Sequence, residues 1–242
     1  MQNRCFIVKL TVMSVLPSSY PKSIRIIGDV HGDIHAFRHA INTNHFIIQL
    51  GDLVDYGPDS GNVMALMIKI QEEKRGLFLI GNHDRKLGLF LKGYRVRRDS
   101  ALNTTIDQIK SHPDKELPNK ILQALEQAPA WLILNKLIFV HGGFHTRMLT
   151  EPSPKPLTPI TSLLSRALYG ETTNKMYHDG YPVRKLNWIN HIPAGYTLYC
   201  GHDCRSTDGR PWVRKGYGGG VAVFMDTGAS KGGHLSWVDI SL

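Results

Sequence analysis

The sequence predicts an α/β domain. Short β-rich apolar runs alternate with segments of helical periodicity, and five of those runs end in a glycine beside Asp, Asn or His. In open α/β sheets ligands gather at the carboxyl ends of strands, so the second observation also points to a site. The 242 residues are enough to bury a substantial core, and the reading is of one domain over residues 24–242 behind a loose N-terminal segment, 1–23.

Taken in order, "SIRIIGD" reads as a strand, and "DIHAFRHAIN" then puts Ile34, Phe37 and Ile41 on one helical face. "HFIIQLGD" is a second strand, followed by a helix through Val63, Leu66, Met67 and Ile70 that Gly76 is expected to end. "GLFLIGN" is a third strand, running into a helical stretch from Arg85 to Leu91. Helices around Leu102 to Ile109 and Pro118 to Ala128 follow, with Pro118 suited to a first turn. "WLILNKLIFVHGG" is a tight hairpin turning at Asn135 and Lys136. The proline-rich "EPSPKPLTP" is the weakest point inside the chain, yet strands on both sides of it end in histidines that serve one site. "YTLYCGH", "GVAVFMDTG" and "HLSWVDI" complete the strands.

Composition is that of a water-soluble globular protein, with no apolar stretch of membrane-spanning length. The N-terminal "CFIVKLTVMSVL" is broken by Lys9 and lacks a clean cleavage site, so it reads as a loose segment, with Met13 as an alternative start, rather than a signal peptide. Three cysteines are too few and too odd in number for a disulfide framework, which places the chain in a reducing cytoplasm. "CGHDC" has no second cysteine pair to complete a zinc knuckle. A formal charge of +9 favours anionic, phosphate-rich partners, although a solvated basic surface would account for it equally well.

The five strand ends are "GDVHG", "GDLVD", "GNHD", "HGG" and "GHD". Any one of them has an ordinary reading as a turn or a helix cap. Together, and in this order, they offer one polynuclear metal site, with glycines permitting sharp turns and close backbone approach.

This ordered set resembles the calcineurin-like metallophosphoesterases, which include the phosphoprotein phosphatases. It is most similar to the phosphatase domain of bacterial polynucleotide kinase-phosphatases and to related diadenosine tetraphosphatase-like proteins, through "GDLVDYGPDSG", "GNHDRKL", "ALYGETT", "YPVRKLNW" and "DTGASKGGHL". The resemblance implies a four-layer αββα sandwich of two mixed sheets with two divalent metal ions. Manganese is expected, with iron, zinc or nickel as alternatives, because mixed oxygen and imidazole ligands suit such ions better than calcium. By motif, Asp29 and His31 would bind one ion, Asp52 would bridge both, and Asn82, His141 and His202 would complete the second. Asn82 would also meet the substrate. His83 would be the general acid that Asp55 orients, after attack by metal-bridged hydroxide on phosphorus.

Tyr56 departs from the closest relatives, which usually carry an arginine there to clamp phosphate, and Ile80 departs from the arginine that phosphoprotein phosphatases often place before "GNH". Several readings of Tyr56 stay open: weaker monoesterase activity with better tolerance of diesters, a substrate-binding surface on which a base or aryl group stacks, compensation by Arg85, Arg147 or Arg184, or a tyrosine that merely packs on the surface. Asp226 fits either a bond to a ligand histidine or a strand-end turn, Asp59 fits a turn, and Tyr169-Gly170-Glu171 fits a substrate-facing loop. His145, His178, His191 and His234 read as ordinary histidines. The expected function is hydrolysis of phosphate esters or anhydrides in a nucleotide, an RNA end, a dinucleoside polyphosphate or a phosphoprotein. The alternative is a metal-containing binding protein for phosphorylated or nucleic-acid ligands. No G-x-x-x-x-G-K-[ST] loop accompanies it.

Overall fold

The structure, a computed structural model, describes residues 21–178 and 180–242. Residues 1–20 of the expected loose segment, with Met13 and Cys5, lie outside the described residues. Ser23 is already paired, opposite Ser241.

Period-two alternation in the strands builds two sheets back to back. The first contains β1 (Ser23–Ile27), β2 (Phe46–Gln49), β3 (Gly76–Phe78) and β11 (Trp237–Ser241), in the order β11-β1-β2-β3. The second contains β4 (Trp131–Leu134), β5 (Leu137–Val140), β8 (Thr197–Cys200), β9 (Trp212–Lys215) and β10 (Val221–Phe224), in the order β4-β5-β8-β10-β9. Alternate residues of both sheets, among them Ile24, Ile26, Phe46, Ile48, Leu132, Phe139, Tyr199 and Val223, form one cluster between them. Their neighbours Ile27, Ile47, Phe78, Ile138, Val140, Leu198 and Phe224 face the other way, into the cluster that includes the helices. This is the αββα layering.

Both sheets are mixed. β1, β2 and β3 run parallel, with β11 antiparallel on the edge. β5, β8 and β10 run parallel, with β4 and β9 antiparallel outside them. The parallel strands therefore deliver their carboxyl ends, and the glycine motifs that follow them, to one edge of the sandwich.

Among the described residues there are six α-helices: α1 (Ile34–Ala40), α2 (Ser60–Glu72), α3 (Asn82–Leu91), α4 (Ser100–Ser111), α5 (Leu117–Gln127) and α6 (Ser162–Tyr169). Asp33, Asp59, Asp99 and Thr161 cap α1, α2, α4 and α6 through their side chains. Asp59 is thus a helix cap rather than a plain turn. Pro118 lies in the first turn of α5, as expected.

One expected boundary is corrected. Gly76 does not end α2, which stops at Glu72; it opens β3, where a Cβ would stand 2.7 Å from Ile47 O. Close packing against β2 explains this glycine, and the left-handed turn is made by Lys74. The proline-rich loop is tied down: Leu157 is buried, and Arg85 donates to the carbonyls of Pro156 and Thr158. A hairpin, β6 (Glu171–Met176) with β7 (Pro182–Lys185), stands outside both sheets. It and β9 carry no clean apolar alternation and were not legible as strands.

Arg25 and Asp239 face each other in register across β1 and β11, joined by two bonds of 2.7 Å. The hydrogen bond from Arg25 is the main reason the Asp239 carboxyl lies below its usual range. A depressed carboxyl stabilises the fold above its unfolded value and stops doing so as pH falls through the folded one. Asp239→Asn should therefore cost about 0.5–1 kcal/mol at pH 7 in urea unfolding, given the partial exposure of the pair. That difference from wild type should close as pH is taken well below about 4.

Candidate metal centre

Gln49, the buried last residue of β2, sets the geometry. Its side chain donates to Gly28 O at 3.2 Å and Gly51 O at 2.7 Å, and accepts from Gly51 N at 2.9 Å. The loops after β1 and β2 are thereby fixed to each other, and Val30 N and His31 N both donate to Asp52 O. Asp84 performs the same task between the loops after β2 and β3. It is fully buried and accepts from Asp52 N at 2.7 Å, Leu53 N at 2.9 Å and Gly81 N at 3.0 Å. Burial and the nearby Asp52 push its carboxyl up to about 7, against the pull of the N–H groups of Gly81 and Leu53. Neither Gln49 nor Asp84 was singled out from sequence. Asp84 had a signal, as the last letter of "GNHD", whereas Gln49 had none.

These frames converge two buried trios, Asp29/His31/Asp52 and Asp52/His141/His202, each with its ligand atoms within 4.8 Å of one another. Asp52 belongs to both. Its Oδ2 lies 3.4 Å from His141 Nε2 and 3.8 Å from His31 Nε2. Asn82 Oδ1 is 3.2 Å from His141 Nε2. His31 Nδ1 and His141 Nδ1 bond to the carbonyls of Val54 and Leu50, which leaves each Nε2 for the centre. His202 donates its backbone N–H to both oxygens of Asp29, and its Nε2 is buried with no hydrogen-bond partner.

The charges confirm how confined the cluster is. Burial, then Asp226, hold the Asp29 carboxyl well above its ordinary range. Burial lowers His31 to about 3 and, together with His141, takes His202 well down, so both are neutral imidazoles, the lone pair of His31 facing Lys231 and that of His202 without a partner. Burial also opposes charge on His141, but Asp52 and Asp29 outweigh it and hold that ring up at about 9. Asp52 is likewise penalised by burial, and His141 and His83 more than compensate. A divalent ion fits this donor set: carboxylate oxygens, neutral imidazoles, an amide oxygen, and a buried nitrogen that nothing else satisfies.

Beside the trios, His83 Nδ1 lies 2.5 Å from Asp55 Oδ2, and His83 Nε2 lies 4.0 Å from Asp52 Oδ2. Asp55 is fully buried, and its other oxygen accepts from Thr105 Oγ1 at 2.7 Å. It is thus a fixed partner of His83 rather than a turn carboxylate.

The family model described as calcineurin-like phosphoesterase matches residues 22–220. The chain belongs to this family. It is a phosphoric ester hydrolase of a metal-dependent kind. This phosphoesterase is 27% identical over 198 residues to a bis(5'-nucleosyl)-tetraphosphatase (asymmetrical) of Oceanobacillus iheyensis, covering 74% of this chain and 76% of the relative. It is 26% identical over 230 residues to the protein of the same name from Anoxybacillus flavithermus, covering 87% of each. In fold it is similar to a protein serine/threonine phosphatase of Saccharomyces cerevisiae, with a TM-score of 0.58 at 16% identity, over 91% of this chain and 80% of that one.

At the lip of the phosphoesterase's centre stands Tyr56, half exposed, its ring edge-on to His31 at 5.1 Å and to His83 at 5.3 Å. Ile80 is fully buried. Two of the three arginines considered as compensation are occupied elsewhere. Arg85 bonds the proline-rich loop, and Arg147 pairs with Glu151 on the surface. Arg184 does approach: it lines a small cavity with His202, Tyr169 and Trp188, donates to Tyr169 O, and keeps a buried Nε without a hydrogen-bond partner. Tyr169 lies 6.1 Å from the His202 ring, so the expected loop borders the centre.

The cation that sequence reasoning missed is Lys231, within "DTGASKGGHL", whose Nζ is 2.7 Å from His31 Nε2. Asp226 is buried and accepts from Gly228 N, the turn reading of that residue. His178, His191 and His234 are exposed, and His145 caps a short 3-10 turn. Among the described residues no cysteine joins a metal-type cluster; Cys200 is buried and Cys204 exposed.

Glycine is required where loops touch. A Cβ on Gly201 would fall 1.9 Å from Asp29 Oδ1. Gly201→Ala should leave the circular dichroism spectrum intact while weakening divalent-metal uptake at least about tenfold, as measured by calorimetry, because the added methyl group displaces Asp29.

Proposed function

We propose that Asp29, His31 and Asp52 hold one divalent ion and that Asp52, Asn82, His141 and His202 hold a second. The observation that carries this is the pair of buried trios sharing Asp52, with His202 Nε2 left unpaired inside. Manganese suits the donors best, with iron, zinc and nickel as competitors. The substrate is a nucleotide-class phosphoester or phosphoanhydride, a dinucleoside polyphosphate first among them. Support for that class comes from the names of the relatives and from the +9 charge. We place the enzyme in the cytoplasm, as a single domain over residues 24–242. Among the described residues no helix is long and apolar enough to cross a membrane.

The bound ions would supply an acidified water and would draw charge from the phosphoryl oxygens. The chain's own work is positioning and proton transfer. His83 stands beside Asp52 with its Nε2 towards the centre and its Nδ1 held by Asp55. Burial opposes its protonation, but Asp52 and Asp55 outweigh that and raise it above the ordinary histidine value. Imidazolium is the form a general acid needs. As the new bond forms between water oxygen and phosphorus, the phosphorus–leaving-oxygen bond breaks, and His83 Nε2 gives that oxygen its proton. Thr105 and Asp55 keep the ring from turning away. Asn82 Oδ1 lies 3.2 Å from His141 Nε2, and its amide NH2 would meet a phosphoryl group bound at the second trio. A binding protein without turnover would have no use for this intact donor pair, which favours the hydrolase over the binding-protein reading.

A leaving-group series tests the assignment. With manganese added, wild type should hydrolyse both p-nitrophenyl phosphate and an alkyl phosphate. His83→Ala should cut kcat about 10²–10⁴-fold on the alkyl ester, whose leaving oxygen needs the proton, and distinctly less on the aryl ester. Equal losses on the two would assign His83 to holding the centre rather than to acid catalysis.

A further inference from the structure

The loop from Gly228 to Gly233 closes over the His31 side of the centre. Lys231 N and Gly233 N both donate to Gly228 O at 2.9 Å, and Ser230 and Gly232 take left-handed φ of 58° and 90°. The loop packs on the turn that carries Tyr56, since a Cβ on Gly57 would meet Ser230 Oγ at 2.6 Å. This arrangement sends the Lys231 ammonium inward from an otherwise exposed residue. Nζ reaches 2.7 Å from His31 Nε2 and 4.7 Å from the centre of the Tyr56 ring. Tyr56 in turn touches His83, and the His31 and His83 rings are 5.2 Å apart. Lys231 therefore stands on the side of the centre where His83 would meet the leaving oxygen.

Lys231 faces the carboxylates of Asp226, Asp29 and Asp52 across the His31 side of the centre. Ions held by the two trios would take up the His31 Nε2 lone pair and neutralise Asp29 and Asp52, leaving Asp226 as the carboxylate that faces Lys231. The ammonium would then leave His31, while its flexible stem still reaches the Tyr56 ring beside His83.

We infer that Lys231 binds the anionic leaving portion of the substrate and so favours phosphoanhydrides, whose leaving group carries further phosphates, over esters with an uncharged leaving group. This rests on the roles proposed above for the trios and His83. In the step itself, water oxygen bonds to phosphorus and the bridging phosphorus–oxygen bond breaks. The departing polyphosphate keeps that oxygen, which takes the His83 proton, and the negative charge of its remaining phosphates faces the Lys231 ammonium. Tyr56 supplies an aromatic face for the ammonium and no competing charge.

The test compares diadenosine tetraphosphate with p-nitrophenyl phosphate, whose leaving oxygens are of similar acidity but differ in the charge carried beyond them. Lys231→Met should lose about tenfold or more additional kcat/KM on the tetraphosphate relative to the aryl ester, and Lys231→Arg should recover most of it. Independently of turnover, calorimetry should show methylenebisphosphonate binding weakened by Lys231→Met several-fold more than inorganic phosphate binding. Equal losses on the two substrates, or unchanged bisphosphonate binding, would overturn the inference while leaving manganese-dependent, His83-dependent hydrolysis in place. Absence of turnover by wild type on either substrate would instead sink the functional reading, and the calorimetry would still decide the fate of Lys231.

Discussion

Asp52 is 2% exposed, lies beside Asp29, and faces three imidazoles. A buried carboxylate is costly unless cations or donors surround it, and two neighbouring ones more so. Much of the surrounding architecture answers that requirement. His83 N donates to Asp52 Oδ1 at 2.9 Å, and Asp84 pins the Asp52 backbone. His202 N turns to Asp29, and the Lys231 ammonium leans in from the rim. The pair of dications proposed for the two trios would satisfy the same demand more completely than these scattered protons do.

The backbone carries part of the cost. Five of the eight non-glycine residues with left-handed φ among the described ones are His31, Asp52, Asp55, Tyr56 and His202, all at this centre. Such conformations cost of order 1 kcal/mol or more each and persist only where surroundings over-determine them. Here the surroundings are the closely apposed loops at Gly81 and Gly201, where a Cβ would collide with Asp52 and Asp29 respectively. The strain lies in the turns that aim ligands off the strand ends, and the paired sheets behind them hold those turns in place.

This division explains what the sequence could tell. Strands of two-faced apolar alternation, such as "SIRII" and "LIFV", announce themselves, and so do glycine-flanked ligands at their ends. Asp29, His31, Asp52, Asn82, His141 and His202 fall together because topology alone brings parallel strand ends to one edge. Residues that act across loops are harder to see. Gln49 is an ordinary strand residue until Gly28 and Gly51 are placed beside it, and Thr105 is one hydroxyl in a helix 50 positions from the carboxylate it supports. The Glu171–Met176 and Pro182–Lys185 hairpin was missed because its strands are short of apolar side chains and pack on neither large sheet. Gly76 misled for a simpler reason: a glycine after a helix fits a cap and a tight strand pairing equally well.

Tyr56 shows how the same physics separates chemistry from selectivity. The two trios and the His83–Asp55 pair lie inside, and no charge at position 56 is needed to hold them. Position 56 stands at the approach to the centre. A guanidinium there would clamp a dianionic phosphate in two parallel bonds, whereas a phenol ring offers an apolar face and one neutral hydroxyl. Lys231, a flexible point charge attached to a different loop, is a cation that stands against the Tyr56 ring itself. A mobile ammonium imposes less geometry than a planar fork. This lip is therefore suited to reading how much negative charge a substrate brings beyond the scissile phosphorus, and less suited to holding a small phosphomonoester in a single pose.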